Sequence, residues 1–365
     1  MWKLTAARRV SVYPAVLLGL ALVSWSARSQ DPCTAPEAVC AARDAVFAIS
    51  SPFDPLASAV LVAPGVLATN RHVVADETRI EVLTKGGGAI AGEVVPTGYA
   101  GDLVLVRVPG LEGVPLPLAD AVDGPLYVVG ADVAGGTDRA GGAIRVHSPG
   151  RVLALPAVGK PLARLHHAAQ SQPGNSGGAL VDANGRLVGI ITAGGEGRHD
   201  AIPASRLAAL EAASGPPHAA ASAALGRAYR VCIESLERDA LDVLAEACGA
   251  SGNRQLLDLA GRALGEAGRH APSAQLFRDA LEIDPNSVNS MIGLAVVLHL
   301  AESWDEEVAV LRDLIERSPA DFQLLRMSVQ AGKFAGDKRL VERALAFIGQ
   351  HHPDALDAAN DFLAQ

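Results

Sequence analysis

The sequence predicts a multidomain β + α architecture, a double antiparallel β-barrel followed by an α-helical solenoid. Three observations lead there. Between about Val46 and Leu210, short apolar runs alternate with turn signals such as Val108-Pro109-Gly110 and Gly135-Gly136. Near Ser214-Gly215-Pro216-Pro217-His218 that patterning stops, and after Ala219 almost every segment has helical period. Pro285, Pro319 and Pro353 then recur 34 residues apart. The first part, about 170 residues, is enough for two packed barrels with active residues meeting in the cleft between them. The expected boundaries are a leader over 1–29, the β domain over 30–213, a linker over 214–222 and the helical domain over 223–365.

Composition limits the partners. The 365 residues suit two modest domains. Basic residues number 31 and acidic ones 40, a net charge of −9, with the two signs interspersed. Nothing in that balance suggests nucleic acid. The chain has no phosphate-binding glycine loop, no paired-cysteine zinc pattern and no cofactor motif, so neither cofactor nor metal is expected.

At the N-terminus, Lys3, Arg8 and Arg9 precede an apolar run from Val10 to Trp25 that Pro14 interrupts. Ala27-Arg28-Ser29 fits a small-x-small cleavage site, and Ser24-Trp25-Ser26 is the alternative. This reads as a secretory signal peptide and predicts a periplasmic or secreted mature chain without a stable membrane span. The competing reading is an uncleaved anchor, for which the run is short against the ~20 residues of a span. The four cysteines all lie beyond residue 29. Cys33 and Cys40 are close in a loop-like stretch and are expected to close a small disulfide loop in an oxidising space. Cys232 and Cys248 fall in predicted helices, where a disulfide and two buried thiols both fit.

The β region opens with Ala59-Val60-Leu61-Val62-Ala63 and Val66-Leu67, two short strands around Pro64-Gly65. Ala68-Thr69-Asn70-Arg71-His72-Val73-Val74 follows. Asp102 opens the strongly apolar Leu103-Val104-Leu105-Val106, where an unpaired carboxylate would be costly and a histidine N–H is a natural partner. Ala183-Asn184-Gly185-Arg186 between two apolar runs is the best hairpin signal. Pro173-Gly174-Asn175-Ser176-Gly177-Gly178 is the most informative stretch. A serine framed by glycines suits a nucleophile on a tight turn, because the glycines adopt angles a side chain forbids. They also let a substrate carbonyl reach the N–H groups of Gly174 and Ser176, an oxyanion hole. Ser176 needs a neutral imidazole to take its proton and a carboxylate to fix the tautomer, roles that His72 and Asp102 fit.

These segments resemble the trypsin-like (chymotrypsin-fold) serine peptidases, with motifs most like the bacterial Deg/HtrA-like branch. The resemblance runs from about Val46 to Leu210. It rests on Thr69-Asn70-Arg71-His72-Val73-Val74, Asp102-Leu103-Val104-Leu105 and Gly174-Asn175-Ser176-Gly177-Gly178. Gly185-Arg186-Leu187-Val188-Gly189-Ile190-Ile191-Thr192 and Ala201-Ile202-Pro203 match as well. Each motif alone is weak, and all of them in order are strong. The resemblance implies a serine endopeptidase with His72, Asp102 and Ser176 as its triad. Digestive members carry Asp where this chain has Asn175, and no Arg-Ile-Val-Gly-Gly-type activation sequence is present. Trypsin-style zymogen cleavage is therefore not implied.

By the same resemblance, Gln170 stands where trypsin-like enzymes place the charge that selects basic substrates. Thr192, Ala193, Gly194 and Gly195 would line the first specificity pocket. An uncharged, open pocket for small or medium apolar residues is expected. His166, His167 and His199 are read as packing or surface residues. Adjacent strand residues point to opposite faces, so His166 and His167 make a poor metal pair.

The 34-residue spacing is that of tetratricopeptide (TPR) helix-turn-helix repeats. Gly261 and Ala263 fall where paired helices approach, Gly268 at their turn, and Phe277, Ala280 and Leu281 in the second helix, which Asp284-Pro285 ends. The next unit has Ala295, Trp304 and Leu311, and the third has Gly336 at its turn. An earlier helical pair holds Cys232 and Cys248, and Asp354 to Leu363 would cap the stack. The competing reading is an ordinary helical bundle. Stacked pairs make a concave surface that binds peptides or protein segments, an expectation by fold analogy alone. Two functional classes follow: an exported serine endopeptidase with repeats for substrate or partner, and a non-catalytic envelope scaffold. The complete triad favours the first. No PDZ module accompanies the Deg-like motifs here, which leaves that branch's quality-control role and trimeric assembly unsupported.

Overall fold

The computed structural model describes residues 33–84, 88–132, 142–195 and 197–365. The 1–29 leader and the Gly135-Gly136 turn lie outside the described residues. A short helix α1 (Glu37–Ala41) leads into β1 (Val46–Ser50), β2 (Ala57–Ala63) and β3 (Val66–Thr69). The short helix α2 (Arg71–Val74) follows, then β4 (Arg79–Leu83), β5 (Ala89–Val95) and β6 (Val104–Arg107). The six strands close a barrel in the order β1-β2-β3-β6-β5-β4, every pairing antiparallel. Alternation sets its register: along β4, Arg79 and Glu81 are exposed while Ile80 and Val82 are buried with Ile49, Leu61, Leu67 and Val106.

The second part of the β domain contains β7 (Tyr127–Asp132), β8 (Ala143–Val146), β9 (Val152–Ala154), β10 (Leu165–His167), β11 (Ala179–Val181), β12 (Leu187–Gly195) and β13 (Arg198–Pro203). They form one antiparallel sheet in the order β8-β7-β11-β12-β13-β10-β9. The expected second barrel thus takes the form of a seven-stranded sheet beside the closed one. The predicted Asn-Gly hairpin joins β11 to β12. Within it, Asp182 Oδ1 accepts from the N–H groups of Asn184 and Arg186 at 2.8 and 2.9 Å.

After α3 (Leu207–Ala212) the chain is helical. It runs through α4 (Ala219–Glu237), α5 (Leu241–Gly249), α6 (Arg254–Glu266), α7 (His270–Ile283), α8 (Val288–Leu300), α9 (Trp304–Arg317), α10 (Phe322–Ala335), α11 (Lys338–His351) and α12 (Leu356–Ala364). Helix starts repeat with the predicted period: Arg254, Val288 and Phe322 are 34 residues apart, as are His270, Trp304 and Lys338. The reason is local. Asn253, Ser287 and Asp321 occupy the same repeat position, and each side chain accepts a backbone N–H from the first turn of the helix it starts. Phe277, Ala280, Ala295 and Leu311 are buried between helices, as their spacing predicts. A Cβ on Gly261 would meet the Phe277 ring at 2.9 Å, which explains the small residue at that crossing.

The helices do not merely follow the β domain. Residues 33–365 make one compact unit, and α4 packs directly on α2. Gly226 of α4 is so close that a Cβ there would meet the Ala75 carbonyl at 2.7 Å. Tyr229 is fully buried with Ala75, Cys232 and Leu257. Arg230 pairs with Asp76 at 2.5 Å and Glu77 at 2.8 Å. Both cysteine pairs are joined, Cys33 to Cys40 and Cys232 to Cys248.

Cys232 and Cys248 are fully buried and lie 16 residues apart, bridging α4 to α5. A chain closed over that length is stabilised by roughly 3 kcal/mol through its unfolded state. Cys232→Ala with Cys248→Ala is expected to lower the unfolding free energy by about that much, read by urea denaturation under non-reducing conditions. Equal midpoints for the two proteins would contradict it.

Candidate active site

Two successive turns present Ser176. Asn175 N–H donates to the Gln172 carbonyl at 3.0 Å, with Pro173 second and Gly174 third in the turn at φ 94°. Gly178 N–H donates to the Asn175 carbonyl at 2.8 Å, with Ser176 second and Gly177 third at φ 82°. Positive φ at the third position is what a glycine supplies. Space imposes the same choice, because a Cβ on Gly177 would overlap the Ser58 carbonyl and the Thr69 hydroxyl.

The turn is braced from both sheets. Ser58 N–H donates to the Ser176 carbonyl at 2.8 Å, and Ser58 Oγ donates to the Gly174 carbonyl at 2.7 Å. Asn175 is fully buried. Its Nδ2 donates to the Ala131 carbonyl and its Oδ1 accepts from Gln172 N–H, both at 2.8 Å. The residue that separates this chain from the digestive enzymes is therefore a strut. The N–H groups of Gly174 and Ser176 have no backbone acceptor among the described residues, so both are available to an oxyanion.

The structure brings Asp102 and His72 together. His72 Nδ1 lies 2.7 Å from Asp102 Oδ2, and the His72 backbone N–H donates to Asp102 Oδ1 at 2.9 Å. Asn70 Nδ2 donates to the Asp102 carbonyl at 3.1 Å. A charged carboxylate as acceptor puts the proton on Nδ1 and leaves Nε2 free as a base. Burial opposes charge on both groups, but their mutual attraction outweighs it. The His72 pKa is held above its ordinary value and that of Asp102 below. Arg164, nearly fully buried, adds a cation 3.8 Å from Asp102 Oδ2.

Ser176 Oγ donates to the Thr192 carbonyl at 3.1 Å, and no hydrogen bond joins it to His72 among the described residues. The hydroxyl is thus held on β12. Thr192 is itself fixed, its Oγ1 donating to the Asp200 carbonyl at 3.1 Å and to Asp200 Oδ2 at 3.0 Å.

Of the residues expected at the specificity pocket, Thr192, Ala193 and Gly194 lie together on β12. Gly194 pairs with His199 across β12 and β13, and a Cβ there would overlap the imidazole. Gln170 is exposed, with its N–H on the Ser148 carbonyl at 3.0 Å. The histidines serve packing and pairing. His167 is fully buried and stacks on His199 at 5.9 Å, burial lowering its pKa to about 4. His166 Nε2 lies 2.9 Å from Asp284 Oδ2. No cluster that could hold a metal occurs among the described residues. Sequence reasoning missed Ser58, Arg164 and Asp200. A buried Arg or Asp outside any motif has no local signal.

Residues 57–190 match the model of the trypsin-like peptidase domain. Over these residues the chain is thus similar to the trypsin-like peptidases. It is 32% identical over 155 residues to the mitochondrial serine protease HTRA2 of Bos taurus, covering 40% of this chain and 33% of that protein. It is 31% identical over 134 residues to the uncharacterized protein y4bJ of Sinorhizobium fredii, covering 35% of this chain and 20% of that one. The chain thus spans a third or less of the length of these relatives. Among solved structures it is similar to the inactive form of the Rv3671c protease of M. tuberculosis, at 23% identity and TM-score 0.41, covering 51% of this chain and 100% of that one. It is also similar to the HtrA-type protease AlgW with tripeptide, at 28% identity and TM-score 0.40, covering 48% and 61%.

Gly177→Ala is expected to cut the rate of Ser176 modification by a fluorophosphonate by about a hundredfold or more, since the turn that aims Ser176 cannot hold a Cβ. A folded variant that reacts at the wild-type rate would contradict this.

Proposed function

We propose that the chain is an exported serine endopeptidase that hydrolyses peptide bonds in proteins through His72, Asp102 and Ser176. The observation that carries the reading is the buried His72–Asp102 pair, which leaves His72 Nε2 unprotonated as a base, in a chain whose Ser176 stands on a glycine-framed turn. In the reaction, Ser176 Oγ leaves the Thr192 carbonyl and attacks the scissile carbonyl carbon, and His72 Nε2 takes its proton. The oxyanion is held by the N–H groups of Gly174 and Ser176. Collapse expels the amine, which takes the proton from His72. Water then repeats the sequence on the acyl-enzyme, with His72 again as base. Asp102 stays ionised and stabilises the imidazolium. The exposed Gln170 and the glycines of β12 offer no charge to a substrate side chain, in keeping with an uncharged residue at the first specificity pocket.

Export rests on the 1–29 leader and is compatible with two disulfides. No helix among the described residues is long and apolar enough to cross a membrane. The 34-residue helix pairs support a TPR-like role, a surface for a protein segment that is substrate or partner.

Fluorophosphonate labelling of the wild type, absent in Ser176→Ala, is the expected result. An unlabelled, folded wild type would favour the scaffold reading. Because protonated His72 cannot accept the serine proton, activity should rise with pH through the His72 pKa. The acid limb of kcat/KM is expected to have its midpoint above 6.5. A midpoint below that would show that Asp102 does not govern the imidazole.

A further inference from the structure

A buried charge network runs from the triad into the helical domain. Asp200 Oδ2 is its centre, and three donors converge on that one oxygen. Thr192 Oγ1 stands at 3.0 Å, Arg164 Nη1 at 3.2 Å and Arg254 Nη2 at 2.7 Å. Thr192 and Arg164 belong to the peptidase domain. Arg254 opens α6, the first helix of the repeats, and is 3% exposed. Its guanidinium is clamped from its own side by Asp258 at 2.5 Å and by Ser287 Oγ at 3.1 Å. Arg164 reaches the other way, its Nη2 lying 3.8 Å from Asp102 Oδ2, the same oxygen that faces His72 Nδ1. A cavity of about 20 Å³ lies among Asp102, Arg164, Tyr229, Asn253 and Arg254, room for about one water.

We propose that Arg254 is a positioning residue for the triad, contributed by the helical repeats. Through Asp200 it holds Arg164 against Asp102, and it holds the Thr192 strand against Ser176. The proposal rests on the peptidase reading above. Its physical basis is competition for one carboxylate. With Arg254 in place, Asp200 is shared among three donors, and Arg164 stays within reach of Asp102. Without Arg254, a fully buried Asp200 has one cation left and draws Arg164 towards itself. Asp102 then loses its second cation, and the Thr192 carbonyl shifts with its side-chain anchor. The charged groups facing His72 are Asp102, Arg164 and Asp54. Loss of the Arg254 charge and retreat of Arg164 both favour protonated His72, so both raise its pKa.

The test uses the full chain, with two readouts for each variant. One is the pH dependence of fluorophosphonate labelling. The other is the titration of His72 by NMR of the imidazole. In Arg254→Gln the His72 pKa is expected to rise by roughly half a unit or more, and labelling at pH 7 to slow by about tenfold. Arg254→Lys should restore part of both. Leu264→Ala, which opens a hole in the helical core, should lower stability while leaving both readouts per folded molecule unchanged. If Arg254→Gln does not fold, Arg254→Met with Asp258→Asn removes a cation and an anion together, and the retreat of Arg164 alone should still shift both readouts in the same direction. A folded variant with wild-type His72 titration and labelling rate would overturn the proposal. Failure of the wild type to label, with the His72 titration still displaced in the variant, would sink the peptidase reading and leave the coupling standing.

Discussion

A carboxylate buried away from water must be met by donors on every side or give up its charge. Asp102 meets that condition with the His72 ring, the His72 backbone and Arg164. Much of the surrounding structure follows from it. The short helix α2 directs two His72 donors at one carboxylate. Asn70 holds the backbone carbonyl of Asp102, in the bend just before β6. Arg164 enters from the second sheet, so the pair is completed only where barrel and sheet meet. The charge on Asp102 is thus supported from both halves of the β domain.

The serine turn is placed by a different constraint, one of space. Ser176 sits on backbone that crosses Ser58, Thr69 and Ala131 at distances only glycine permits. Two turns, each with glycine third, make that crossing. The buried Asn175 ties them to β7. Electrostatics fixes one half of the site and sterics the other, and the Thr192 carbonyl is where Ser176 waits between them.

Local signals were legible in the sequence. The glycine-framed serine, the Asn-Gly hairpin and the 34-residue period each act through backbone geometry over a few residues. All three appear at the predicted positions. The His72–Asp102 pair was legible because an acid at the mouth of an apolar strand requires a partner. Arg164, Asp200 and Arg254 were not, since their meaning comes only from one another across long stretches of chain. Gln170 was singled out by alignment alone, and the structure places it exposed, with its N–H on the Ser148 carbonyl. The mutual arrangement of the two domains had no sequence signal either. A Gly226 that admits the Ala75 carbonyl reads in one dimension as one more small residue in an alanine-rich helix.

The packing of α4 on α2 has a consequence for the order of events in the cell. A chain is made from its N-terminus, and domains fold as they emerge. His72, Asp102 and Ser176 all precede Tyr229, Arg230 and Arg254 in the sequence. During synthesis, the barrel therefore exists for a time without the helix that covers Ala75 and without the Arg254 cation beside Asp200. In that interval His72, Asp102 and Ser176 are all present while the helices packed behind them are still missing. The later-made helices α4 and α6 thus complete the surroundings of side chains made well before them.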